Sequence, residues 1–141
     1  MKLPNTSSLI GDTTRSTDTR GNILSIVDLP VKNVSIIKCN AGSIRSNHYH
    51  KTDWHLMYVL EGKIDYFYKS LDDDIIRYLK VEKEMNIFTP ALEIHATYFP
   101  IATKLLVSSC NTRDQVTYEN DTVRVKLVDI NNLNILLEKF A

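Results

Sequence analysis

The sequence predicts an all-β domain, a sandwich or barrel, on three observations. Apolar runs of strand length recur along the chain, they are rich in β-branched and aromatic residues, and polar or glycine-containing punctuation separates them. The runs are Ile23–Val27, Val34–Ile37, Leu56–Leu60, Ile64–Tyr68, Ile75–Val81, Thr103–Val107 and Thr122–Val128. Glu61-Gly62-Lys63 joins two of them, with a glycine where a tight turn needs positive φ. Asp72-Asp73-Asp74 is a polar loop between two others. Residues 1–20 carry Thr, Ser and Asp with few large apolar groups and are expected to form a flexible arm, ordered by a partner subunit if at all. The barrel is expected over 21–130. Only the tail has helical spacing, with Leu133, Leu136, Leu137 and Phe140 at i, i+3, i+4 and i+7. A short helix is expected over 131–141, capped by Asn131 or Asn132 and packed on the barrel's outside or on a second subunit.

The bulk numbers narrow the function classes. A chain of 141 residues is one domain, long enough to bury a core. Lys+Arg and Asp+Glu both total 17, so there is no global charge to attract nucleic acid or an anionic membrane, and neither is expected as a partner. Cys39 and Cys110 are too few and too far apart for a disulfide scaffold or a CxxC site. Beside apolar runs they read as buried free thiols, in keeping with a reducing cytoplasm. After Lys2 the chain reads Pro4-Asn5-Thr6-Ser7-Ser8, with no apolar core of a secretory signal, and no run approaches the roughly 18 apolar residues of a membrane span. A soluble, cytoplasmic protein is expected.

The histidines are the informative feature. The chain has four, and three of them, His48, His50 and His55, fall within eight residues. On an extended strand His48 and His50 point the same way, about 6–7 Å apart at the backbone, near enough to hold one ion. Lys51–Trp54 can turn the chain so that His55 opens the next strand, and His95 arrives from a separate segment after Pro90. Neutral imidazole is a favoured ligand for Zn, Cu, Fe and Ni. The alternatives are a pocket whose histidines bond a ligand directly, or a closed tetrahedral zinc of structural role.

Gly42-Ser43-Ile44-Arg45-Ser46-Asn47-His48-Tyr49-His50, followed by His55 and Gly62, resembles the first motif of the cupin superfamily, with His55 where that family usually has glutamate. Pro90 and His95 match the second motif, while Lys83-Glu84 stand for its Pro-Gly, Leu92 for its inner glycine and Phe99 for its asparagine. The resemblance spans roughly 22–128. It implies a single-domain cupin, a double-stranded β-helix or jelly-roll barrel, with one divalent metal ion (Zn, Ni, Fe, Mn or Cu) on His48, His50, His55 and His95. A histidine in place of glutamate raises the site charge from +1 to +2 and favours an anionic ligand. Asp18-Thr19-Arg20-Gly21, Leu29-Pro30 and Arg45-Ser46-Asn47-His48-Tyr49-His50-Lys51 also resemble the nucleotide-sugar ketoisomerases among cupins, which use histidine as acid or base without needing metal.

Strand parity nominates the neighbours. Met57 and Val59 share the face of His55, Thr97 and Phe99 that of His95, and Ile64, Tyr66 and Tyr68 face inward together. Arg45, Met57, Thr97 and Phe99 are candidate substrate-binding residues, and Tyr66, Tyr68 and Glu93 candidate proton donors or acceptors. Trp54 and Tyr58 fall on the opposite face, for sheet packing or a dimer contact. The leading expectation is a homodimeric, metal-dependent enzyme on a small, oxygen-rich, anionic or sugar-like substrate. Its chemistry would be isomerisation, epimerisation or elimination through an enolate held at the metal. A dioxygenase with a redox-active ion is the second reading, and a non-catalytic metal- or sugar-binding domain the third.

Overall fold

The computed structural model describes residues 1–11 and 14–141. In chain order the strands are β1 (Ser8–Ile10), β2 (Thr14–Asp18), β3 (Gly21–Ser25), β4 (Asn33–Cys39), β5 (Ser43–His50) and β6 (His55–Glu61). They continue with β7 (Lys63–Ser70), β8 (Arg77–Glu82), β9 (Asn86–Thr89), β10 (Glu93–Phe99) and β11 (Thr103–Ser109). Helix α1 (Gln115–Asp121), strand β12 (Thr122–Arg124) and helix α2 (Leu133–Lys139) follow. Two five-stranded antiparallel sheets, ordered β1-β9-β6-β11-β4 and β12-β5-β10-β7-β8, face each other as a jelly roll. Between them lie Met57, Val59, Ile64, Tyr66, Val81, Ile87, Phe99, Leu105 and Val107, the inward residues of alternating strands.

The tail behaves as its spacing requires. Leu136 is buried, and Leu133, Leu137 and Phe140 pack with it against Phe67, Ile94 and Ala96 on the outer face of the second sheet. The helix therefore covers its own barrel. The Asn132 side chain caps differently from expectation: its Oδ1 accepts from Asp129 N–H at 2.8 Å, and Asp129 Oδ1 accepts from Asn131 N–H. Within residues 1–20, expected as a flexible arm, Ser8–Ile10 pairs with β9 at the edge of the first sheet and Ser7 is buried. Residues 14–25 form the β2–β3 hairpin, whose turn is held by the Asp18 carboxylate on Arg20. Strand β9 and helix α1 carry no apolar periodicity and were not expected. Of the run Thr122–Val128, only the first three residues are strand. Cys39 is buried and Cys110 half-buried, both as free thiols.

Two positions where the sequence departs from the second cupin motif, and one inside the first, share one backbone feature. Ser46, Glu84 and Leu92 have φ of +71°, +68° and +61°. This is left-handed backbone that glycine adopts without cost and other residues at roughly 1–2 kcal/mol. Met85 N–H closes a turn on Glu82 O at 3.0 Å, so Glu84 sits where a type II turn prefers glycine and Lys83 where it prefers proline. The fold kept the shape of the motif while losing its residues. At Gly62 the constraint is absolute: φ is +91°, and an added Cβ would lie 2.3 Å from Thr103 Oγ1 and 2.6 Å from Ala102 O.

Gly62→Ala is therefore expected to cost about 3 kcal/mol or more in urea unfolding, through clash and strain together. Leu92→Gly, at an exposed left-handed site, is expected to raise stability by about 0.5–1 kcal/mol. A loss at Leu92 would show that its side chain, not its backbone, matters there.

Candidate active site

The site is built at one end of the barrel by β5, β6, β10 and the α1 region. Strand β5 does not run straight through it. Opposite β10 the register slips by one residue, with His48 against His95 but Ser46 against Ala96, leaving Asn47 unpaired in a β-bulge. Asn47 also has a positive φ, +58°, and asparagine tolerates that conformation better than most residues. Its side chain holds the bulge in place. Asn47 Oδ1 accepts from the N–H groups of Leu127 and Val128, both at 2.9 Å, and its Nδ2 donates to Val128 O at 2.9 Å. The extra residue brings Arg45 and His48, three apart in sequence, onto the same inner face; Ile44 and Tyr49 face outward, packed under α2.

All four histidines are inside, at 5%, 1%, 4% and 2% exposure for His48, His50, His55 and His95. Ring centres lie 4.6 Å apart for His48–His50, 4.8 Å for His48–His95 and 4.7 Å for His50–His55. Burial, then the neighbouring imidazoles, lowers the His48 pKa to about 3, and burial with His55 lowers His50 to about 4. Burial also holds His95 well below its ordinary value. These rings are neutral at physiological pH.

Their outer nitrogens identify the tautomers. His95 Nδ1–H donates to the Glu93 carbonyl at 3.3 Å. Thr122 Oγ1 gives its proton to Tyr118 O and stands 3.4 Å from His50 Nδ1, so His50 donates to it. His50 Nε2 is then a buried lone pair with no partner among the described residues. One nitrogen each of His48, His50 and His95 lie within 4.8 Å of one another. Three neutral imidazoles, with the outer N–H groups of His50 and His95 anchored, are the donor set of a divalent transition metal. The three residues fit such an ion.

His55 stands apart from this group. Its Nε2–H donates to Asp53 Oδ2 at 2.8 Å. Burial pushes the Asp53 carboxyl up, but the hydrogen bond and charge of His55 and the Asn111 N–H outweigh it, leaving it below the usual carboxylate range and ionised. Asp121, at the end of α1, accepts from Thr52 N–H, Thr52 Oγ1–H and Asp53 N–H, and so ties the β5–β6 loop to the helix. The four rings are gathered as the sequence predicts, but the inner donors group as three, with His55 held by a carboxylate.

A cavity of about 90 Å³ opens beside the rings. Arg45, Met57, Thr97 and Phe99 line it with His48, His55 and His95, and so do Ser46, Arg113 and Tyr118, which the sequence reading left out. Arg113 and Tyr118 come from the α1 region, a polar stretch whose one signal is Asp114, an N-cap accepting from Thr117 N–H at 3.0 Å. Tyr66, Tyr68 and Glu93 do not line the cavity. The Tyr66 ring stacks on His95, but its hydroxyl, driven far up by burial, is engaged by Ser7 and Thr89 at 2.8 Å each. The Glu93 carboxylate accepts from Thr6 Oγ1–H, Ser7 N–H and Ser7 Oγ–H, and so clamps the N-terminal segment to the barrel. Tyr68 lies half-buried beside Tyr66, opposite His95 in the β7–β10 register.

No protein-family model and no curated protein sequence matches the chain. Solved structures do. The QdtA 3,4-ketoisomerase of Thermoanaerobacterium thermosaccharolyticum, a double mutant in complex with TDP, superposes with TM-score 0.65 at 22% identity, over 86% of this chain and 89% of its own. A 3,4-ketoisomerase from Helicobacter canadensis gives 0.68 at 14% identity, over 94% and 97%. WlaRA, a TDP-fucose-3,4-ketoisomerase from Campylobacter jejuni, gives 0.68 at 14%, over 83% and 87%. The fold is that of a cupin. In this fold the residues of the first motif, from Gly42 to His50, come together in space as well as in the chain, with the bulge at Asn47 between Arg45 and His48.

Two outcomes are expected. The metal-free protein takes up one equivalent of Zn²⁺ or Ni²⁺ in a calorimetric titration, and His50→Ala weakens that uptake at least tenfold. Acid destabilises the metal-free protein early. In the unfolded chain the histidines protonate near 6.5, while folded His48 and His50 do so only near 3 and 4. The unfolded state therefore binds more protons in this window. Stability is full above pH 6.5 and falls as pH drops toward 4, by about 1.4 kcal/mol per pH unit for each such histidine. Urea midpoints at pH 7 and 4.5 measure it.

Proposed function

We propose that this cupin is an isomerase that moves a carbonyl to the adjacent carbon of a sugar-like substrate by proton transfer at a buried histidine. The observation that carries this reading is the His55–Asp53 pair at the wall of a small cavity. With Nε2–H committed to an ionised carboxylate, His55 presents Nδ1 as the accepting nitrogen, and Asp53 stabilises the imidazolium that forms. The likeness in fold to 3,4-ketoisomerases supports the same chemistry.

His55 takes the proton from the hydroxyl-bearing carbon beside the carbonyl, and the C–H electron pair becomes the double bond of an enediol. The same imidazolium returns the proton to the former carbonyl carbon, while a hydroxyl proton passes from one oxygen to the other. The net change is one carbonyl shifted by one carbon. Tyr118, whose phenol burial keeps protonated, supplies an O–H donor for the oxygens. A divalent cation on His48, His50 and His95 supplies Lewis-acid polarisation of the carbonyl when bound. The β2–β3 hairpin, whose Ile23 is 68% exposed, supports a homodimer in which a second copy covers it. No helix among the described residues is long and apolar enough to cross a membrane.

Incubation with TDP-4-keto-6-deoxyglucose in D2O, followed by NMR, is expected to show a 3-keto product with deuterium at C4. His55→Asn is expected to lower the rate about 10²–10³-fold. Absence of exchange with this substrate and with an acidic keto sugar, with and without added Zn²⁺, Mn²⁺ or Ni²⁺, overturns the isomerase reading. The same three-imidazole donor set favours an oxidative reading in second place, and oxygen uptake by the iron-loaded protein separates the two.

A further inference from the structure

The charges around the cavity are distributed in one direction. Its charged lining residues are Arg45 and Arg113, and no carboxylate lines it. The acids nearest the rings are turned away from it: Asp53 is occupied by His55 Nε2–H and Asn111 N–H, and Asp121 by Thr52 and Asp53 N–H. Arg124, the other guanidinium of this region, is paired with Glu119 at 2.9 Å. Arg113 has no such partner. Its guanidinium carbon stands 5.4 Å from the Tyr118 ring centre, and its Nε is buried with no acceptor among the described residues. Arg45, exposed to solvent, reaches the Cys39 thiol, a weak acceptor. A buried guanidinium donor without an acceptor is rare, because it keeps the desolvation cost and forgoes the hydrogen bond. The two arginines approach from separate segments, β5 through its bulge and the α1 region, so their meeting at one cavity is a product of the fold.

We infer that this cavity is an oxyanion site, in which Arg113 and Arg45 take a compact negatively charged group of the substrate, a carboxylate or a phosphate, beside the histidines. A planar guanidinium edge matches either anion with two parallel hydrogen bonds. A volume of about 90 Å³ holds a group of a few heavy atoms, so a nucleotide lies outside it and the charge sits on the reacting part of the substrate. This deepens the isomerase reading by naming the substrate class as an acidic sugar or oxo acid, yet it concerns binding alone. It therefore stands or falls separately from turnover.

The test is calorimetry on the full-length, chelator-treated protein with malonate, inorganic phosphate and the neutral malonamide. Malonate or phosphate is expected to bind while malonamide does not, and whichever anion binds names the group. Arg113→Gln is expected to weaken binding about tenfold, Arg113→Lys less, and Arg45→Gln about tenfold, with circular dichroism and melting temperature checking that each variant folds. Absence of binding by both anions, equal binding of malonamide, or affinity unchanged in folded Arg113→Gln overturns the oxyanion site. Isomerase activity on a keto sugar with no anion binding would sink this inference and leave the isomerase reading in place. Anion binding without turnover would do the reverse.

Discussion

Three hydrogen bonds from the Asn47 side chain to Leu127 and Val128 hold an extra residue in β5, and the site is arranged around that residue. In an uninterrupted strand, residues three apart face opposite ways. Arg45 would then point to the α2 side of the sheet, or His48 would, and the cavity would lose a cation or a ligand. The bulge lets both face inward while Ile44 and Tyr49 keep their places in the outer apolar layer. The cost is two consecutive left-handed residues, Ser46 and Asn47. Asn47 offsets its share with bonds that also pin the chain between β12 and α2 to the barrel, so one side chain connects site geometry to the packing of the C-terminal helix.

Burial then decides the chemistry of the rings. Four imidazoles gathered at one barrel end cannot all be charged, and desolvation, reinforced by the neighbouring imidazoles, holds three of them neutral. Neutral rings keep lone pairs, and the anchoring of the outer nitrogens turns those of His50 and His95 inward. His55 differs because Asp53 is near enough to claim its N–H. The substitution of histidine for the glutamate usual in cupins is thus answered by an aspartate two residues earlier. The anionic oxygen returns to the site's edge, one imidazole further from the inner donors.

The remote end of the network is the N-terminal segment. Glu93 holds Thr6 and Ser7 with its carboxylate and His95 with its carbonyl, while Tyr66 bridges Ser7 and Thr89 with its ring on His95. Tyr66 and Glu93, which strand parity nominates for proton transfer, frame one imidazole, that of His95. Parity gave the correct face for Tyr66, since it does lie in the core between the sheets. It had no means of showing that the phenol end would meet a hydroxyl from β9, 23 residues on, and another from Ser7, 59 residues back.

What could be read along the chain was whatever depends on local periodicity: the strand-length runs, the tight turn at Gly62, the terminal helix, and the gathering of His48, His50, His55 and His95 under a motif of fixed spacing. Each of these follows from the two-residue repeat of a strand or the 3.6-residue repeat of a helix. Short β9 and polar α1 escaped because four buried residues before a proline and a helix with no buried side chain leave no period to detect. The partners of the site escaped for a different reason. Asp53 beside His55, Arg113 and Tyr118 over the cavity, and Ser7 on Tyr66 are contacts between segments whose separation in sequence carries no information about their meeting. The sequence by itself determined a cupin barrel and its four inward histidines. Only the tertiary structure decided which three of them share inner lone pairs, which one is held by a carboxylate, and which cations face them, because those depend on where loops close over the barrel end and on hydrogen bonds that no spacing rule encodes.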